Sequence, residues 1–207
     1  IDHKTVAIRG MGNQTFVKTR AVLARTNIGL LLKAIEILRG PKRINHIYFE
    51  GNFNSYTYAD EGASLYDVLN LYLGKGHLVR DPMIARMSCM EDQEDYIDKT
   101  EDKQLSMMVD IVQKYGDEIP AILREIRAKH LPDQLRHKAD VIFSTVHRCK
   151  GMEYDSVELV DDFYSEDKFK SCTIPEKEVF RRELMLSEIN LLYVAVTRAR
   201  CELHIPE

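Results

Sequence analysis

The chain has 207 residues, 44% hydrophobic and 30% charged, which suits one α/β domain with an insertion. No run approaches the ~18 apolar residues of a membrane span, and no basic-then-apolar leader opens it, which argues against membrane-spanning and secreted classes. The net charge of −4 is uneven: residues 1–50 hold nine Lys/Arg against three Asp/Glu, 51–138 eleven against sixteen, and 139–207 nine against fourteen. Bulk charge therefore does not make this a nucleic-acid binder, and any polyanion contact falls to local geometry or to the basic first segment.

The opening reads as β-rich. Thr5–Ile8 is a short strand and Gly10–Asn13 a turn. Ala21–Arg25 is a continuous apolar run, the pattern of a strand buried on both faces. Thr26 and Asn27 are N-cap residues, and apolar positions 28, 31, 32, 35 and 38 predict a helix that Gly40-Pro41 ends. Ile44–Phe49 reads as the next strand, giving a strand–helix–strand unit and a parallel sheet.

In the middle, Leu65, Val68, Leu69 and Tyr72 predict a short helix stopped at Gly74. Glu91–Asp102 carries seven acidic residues in twelve and lacks the glycine of a calcium loop, so a solvated loop is expected. Leu105, Met108, Val109, Val112 and Tyr115 predict a further helix, and Pro120 opens another over Ile122, Leu123 and Ile126. Residues 75–138 thus read as a small helical insertion between 1–74 and 139–207. The end returns to α/β, with strands at 141–145, 157–161 and 201–205. A helix is predicted over 188–200, its Leu191, Leu192 and Ala195 inward.

Cysteines at 89, 149, 172 and 201 form no C-x-x-C pair, so neither a zinc site nor a disulfide scaffold is expected, and the home is intracellular. The chain begins at Ile1 rather than Met, so a longer parent is expected. A P-loop needs G-x-x-x-x-G-K-[ST] to cradle phosphates. The nearest fragments, Gly74-Lys75-Gly76 and Lys150-Gly151, do not fit, so this chain alone is not expected to hydrolyse a nucleotide.

Two segments stand out. Thr145-Val146-His147-Arg148-Cys149-Lys150-Gly151-Met152-Glu153-Tyr154-Asp155 follows a buried strand, where α/β folds bind ligands. Thr145 and His147 suit phosphate contacts, Gly151 a close backbone approach, and Glu153 a ribose hydroxyl. A plain strand-to-helix loop with solvated His and Lys accounts for the same residues. The second segment is Asn190-Leu191-Leu192-Tyr193-Val194-Ala195-Val196-Thr197-Arg198-Ala199-Arg200. Its arginines read either as cations offsetting a helix dipole or as an arginine finger stabilising a transferring phosphoryl group.

Together these segments resemble the UvrD/Rep/PcrA group of superfamily 1 DNA helicases. Residues 145–154 look like motif V (T-x-H-x-x-K-G-L-E-[WF]) and 191–200 like motif VI (L-x-Y-V-A-x-T-R-A-[RK]). Residues 21–27 look like the opening of the second RecA-like lobe. The F-box DNA helicase branch is similar at 190–199, at Val157–Phe163 with its Asp161-Asp162-Phe163, and at Glu101-Asp102-Lys103 with the Lys114-Tyr115 helix. Met152 and Tyr154 stand where Leu and Trp or Phe are usual, and Arg148 and Cys149 replace small residues. Ser187–Asn190 replaces an acidic–arginine stretch, leaving an ion pair there open.

The resemblance implies a RecA-like three-layer lobe with a mostly parallel sheet, 75–138 being a reduced accessory subdomain. It implies that Arg198 is the catalytic arginine reaching the γ-phosphate. Gly151, Glu153 and Arg198 line the nucleotide, Thr145 and His147 contact the single strand, and Tyr193 supports the interface. ATP is the nucleotide, with Mg2+ bound mainly by the other lobe. The implied partners are single-stranded DNA, duplex junctions and the N-terminal RecA-like lobe of the same parent, with a ubiquitin-ligase adaptor if an F-box lies upstream. The implied action is 3′-to-5′ translocation, in the nucleus for the F-box branch and otherwise in the cytoplasm. The other superfamily 1 branch usually has Gln-Gly where Lys150-Gly151 stands. A nuclease–helicase subunit would need a domain beyond residue 207. A non-catalytic DNA- or protein-binding lobe is the alternative; Arg198 and Glu153, which the fold is not expected to need, argue against it.

Overall fold

A computed structural model describes residues 5–10, 17–60, 62–164 and 178–206. The predicted turn residues Met11–Asn13 and Cys172 lie outside them. The strands are β1 (Thr5–Arg9), β2 (Arg20–Ala24), β3 (Ile47–Phe49), β4 (Val141–Thr145), β5 (Tyr154–Leu159) and β6 (Ala199–Pro206). They form one sheet in the order β1-β6-β5-β2-β4-β3. Five strands run parallel, with β2 aligned to β4 at Ala21↔Ile142 and to β5 at Ala21↔Val157; only the edge strand β1 is antiparallel, against β6. The α/β lobe with a mostly parallel sheet is as the sequence predicts.

Alternation along the strands splits the core into two faces. Val22, Ala24, Ile47, Phe49, Val141 and Phe143 point to one cluster, while Ala21, Leu23, Ile142, Val157 and Leu203 point to the other. The first face is covered by α1 (Asn27–Arg39), α2 (Leu65–Tyr72), α4 (Lys103–Tyr115) and α5 (Ile119–Lys129). The helices from 75–138 therefore share one apolar core with α1 and α2. Local chemistry sets their ends. Thr26 accepts from the Gly29 amide, Ser64 and Asp67 form a capping box, and Asp102 accepts from the amides of Gln104 and Leu105.

The acidic run is a helix, not a solvated loop: α3 spans Met90–Thr100. Glu91 and Asp92 sit in its first turn, where negative charge offsets the helix dipole. Met90, Tyr96 and Ile97 pack against the core at helical spacing. Glu101 ends it in the left-handed region at φ 55°.

The second face is covered by α6 (Glu178–Val196). It starts ten residues before the predicted 188 and ends before Arg198. Leu191 and Ala195 are buried as expected, whereas Leu192 is 38% exposed. The helix stops because Ala199 pairs with Tyr154 and the Tyr154 amide donates to the Arg198 carbonyl at 2.9 Å. Strand pairing there replaces the next helical turn and puts Arg200 in β6. Likewise β5 opens at Tyr154 rather than 157, and β3 has only three residues. No disulfide joins Cys89, Cys149 and Cys201, and no helix among the described residues is long and apolar enough to cross a membrane.

Candidate nucleotide and single-strand site

The carboxyl ends of β2 and β4 lie side by side, with Ala24 opposite Thr145 and the Val146 amide donating to the Ala24 carbonyl at 3.0 Å. From α1 and β3 the chain lies to one side of β2, and from β5 and β6 to the other. Ligands in α/β sheets bind at such a reversal of strand order. A cleft of about 360 Å³ opens there, lined among others by Arg25, Asn27, Thr145, His147, Ser187 and Glu188. Thr145 is buried at its mouth and His147 exposed. The structure therefore brings the two predicted strand contacts into one cleft.

After Thr145 the backbone folds into a tight turn. The amides of Arg148 and Cys149 donate to the Thr145 carbonyl at 3.0 and 3.2 Å, and the Met152 amide to the Cys149 carbonyl at 3.0 Å. Gly151 sits at φ +80°, a conformation that strains any side chain. The Cys149 Sγ donates to the Val146 carbonyl at 3.3 Å, and burial pushes its thiol up to about 11, so it is a protonated packing group at neutral pH.

The predicted nucleotide residues gather at the far end of this turn. Arg198 Nη1 donates to the Met152 carbonyl at 3.0 Å and Nε to the Val194 carbonyl at 3.0 Å. It thereby ties the turn to the last turn of α6, where a cation also meets the dipole. The fold does use Arg198, contrary to expectation: in this lobe its guanidinium satisfies two backbone carbonyls. Glu153 lies beside it, with its carboxylate 65% exposed and 3.9 Å from Arg200, a pair that solvent screens. Tyr193 is 67% exposed, its ring standing off the lobe.

Sequence reasoning missed two anchors of the cleft. Arg25 donates from Nε and Nη2 to Glu188, both at 2.9 Å, so the ion pair left open at 187–190 is present. Burial works against the Arg25 charge, but Glu188 outweighs it and raises its pKa. Asp162 is 4% exposed and accepts from the Arg25 amide, the Thr26 amide and the Thr26 hydroxyl at 2.7–2.8 Å. Burial nevertheless raises its pKa. A Cβ on Gly29 would stand 2.5 Å from Asp162 Oδ2, so only glycine fits beneath this carboxylate. The Asp-Asp-Phe segment was the one sequence signal for this seat; the Arg25–Glu188 pair spans 163 residues and leaves no local pattern.

The residues present suit one edge of a nucleotide: an exposed carboxylate and a glycine on one short turn, and a guanidinium bonded to that turn from just past α6. Among the described residues no group of three or more His, Cys, Asp or Glu side chains could hold a metal ion.

The chain is 35% identical over 106 residues to F-box DNA helicase 1 of Gallus gallus, covering 51% of this chain and 10% of that protein. It is 32% identical over 102 residues to F-box DNA helicase protein 1 of Schizosaccharomyces pombe, covering 48% and 11%. The chain thus spans about a tenth of the length of these relatives. No solved structure matches it significantly. Residues 74–206, which include both the helical segment and the two motifs, match the UvrD-like helicase C-terminal domain, and the chain belongs to that family.

Proposed function

We propose that the chain is the second motor lobe of an ATP-dependent DNA helicase. It supplies Arg198 and one edge of the nucleotide site to a P-loop lobe of the same parent. The observation that carries this is the turn at 145–154. Thr145 and His147 line the cleft at one end, while at the other Arg198 bonds the Met152 carbonyl, between Gly151 and Glu153. One short segment is thereby placed, in this proposal, to serve both the strand and the nucleotide.

In this reading Thr145 and His147 hold a strand phosphate. Glu153 accepts from the ribose, and Arg198 turns from its own carbonyls toward the γ-phosphate as the lobes close. Mg2+, held by the other lobe, would neutralise phosphate charge. Closing and reopening shift the two grips along the strand in the 3′-to-5′ direction. The F-box relatives extend the proposal to a nuclear protein, with a ubiquitin-ligase adaptor as partner where an F-box lies upstream.

A second reading is a non-catalytic binding lobe. It is favoured by one observation: Arg198 already has a structural task in its bonds to Met152 and Val194. Two variants of the full-length parent test the division of labour. His147→Ala raises the single-strand concentration for half-maximal ATP turnover about tenfold, the loss of one charged contact, and leaves the KM for ATP unchanged. Glu153→Gln does the reverse. A parent without strand-stimulated turnover selects the binding lobe.

A further inference from the structure

The turn at 145–154 is held from beneath by one residue of the segment after β3. Glu50 is 7% exposed, and its amide donates to the Phe143 carbonyl at 2.9 Å, so it extends the pairing of β3 with β4. Its carbonyl oxygen accepts from Arg148 Nη1 at 3.0 Å and from the Tyr56 hydroxyl at 2.6 Å. Arg148 Nη2 donates to Ser55 Oγ at 2.9 Å, and the guanidinium lies 4.8 Å from the Tyr56 ring centre. A Cβ placed on Gly51, which sits at φ +83°, would stand 3.5 Å from the same guanidinium.

The carboxylate of Glu50 serves the other end. It accepts from Arg136 Nε at 2.6 Å, and Arg136 Nη2 reaches Met152 Sδ and the Tyr154 hydroxyl, each at 3.5 Å. The Tyr154 hydroxyl also donates to Met152 Sδ at 3.3 Å. The first half of the turn therefore hangs on the backbone of Glu50 through Arg148. The second half hangs on its side chain through Arg136. Both arms are planar guanidiniums with fixed donor geometry, which a lysine does not reproduce.

We infer that Glu50, with Arg148 and Arg136 as its two arms, is a positioning element that sets the strand-facing end of the turn and the nucleotide-facing end separately. The pivot sits one residue past β3 and is bonded to β4, so the spacing between His147 and Glu153 is tied to the sheet. The inference rests on the proposed function for what the two ends hold. Arg148, a departure from the small residue usual in motif V, takes on a purpose here.

The test uses the full-length parent and its Arg148→Ala, Arg148→Lys and Arg136→Ala variants. Amide hydrogen exchange is followed across residues 145–154. Affinities are measured for a fluorescein-labelled oligothymidylate and for a fluorescent ATP analogue. Arg148→Ala speeds exchange at 146–149 roughly tenfold and weakens oligothymidylate binding by a similar factor, leaving the nucleotide affinity within about twofold. Arg136→Ala speeds exchange at 152–154 and weakens the nucleotide instead. Arg148→Lys, keeping one donor, recovers part of the loss.

Equal loosening of both ends in every variant, or unchanged exchange, overturns the inference. So does a split in exchange with no matching split in the two affinities. A parent that binds both ligands and shows the split, yet turns over no ATP, upholds the positioning role and rejects the motor reading alone.

Discussion

On the helical face of the sheet, side chains such as Phe143, Ile35, Met108 and Ile126 are fully or almost fully buried in one apolar cluster. At the strand ends the elements are joined instead by a few polar ties: Arg25 to Glu188, Asp162 to Thr26, Arg198 to Met152 and Arg148 to Glu50. Apolar packing is non-directional and has no alternative partner, so it fixes the frame. A guanidinium on a carbonyl can exchange that carbonyl for a phosphate at modest cost. The frame is built from the first kind of contact, and the edge proposed to meet a ligand from the second.

Substitutions that break one region and spare the other sharpen this contrast. The largest stability effect is expected on the frame. Phe143→Ala removes a fully buried ring stacked 4.8 Å from Phe49 and costs about 3–5 kcal/mol, read by denaturant unfolding. At the edge, Glu188→Gln weakens the paired bonds to Arg25. It costs about 1–3 kcal/mol and lowers strand-stimulated turnover by more than that stability loss explains. The smallest effect is a charge network on the sheet surface. Burial opposes ionisation of Glu158, but Lys33 and Arg20 outweigh it and hold its pKa below the ordinary glutamate value. The stability it contributes is present above that ordinary value and is lost as pH falls through the depressed one. The melting-temperature gap between wild type and Glu158→Gln therefore narrows on acidification.

The same contrast explains what could be read in the sequence. Elements defined by apolar spacing and local caps were legible. The helix after Thr26, the short helix from Leu65 and the helices at 105–115 and 119–129 fall where the pattern places them. The acidic helix at 90–100 was obscured by its charge, although Met90, Tyr96 and Ile97 carry its period. The end of α6 was misplaced because its stop is set by Tyr154, forty-five residues upstream of Ala199 in sequence but paired with it. The site divides in the same way. Thr145 ends a buried strand and His147 lies just past it, as the pattern shows. The partners of Arg25, Arg148 and Arg198 are distant residues or bare carbonyls, which leave no signature in one sequence.

The most direct test of the motor reading is single-strand-stimulated ATP hydrolysis by the full-length parent, with Arg198→Ala beside it. Removing an arginine that stabilises the transferring phosphoryl group should cut turnover by roughly 10³ or more, with nucleotide affinity largely kept. Equal turnover by the variant would leave Arg198 as a clasp between Met152 and Val194 and contradict its place in the reaction.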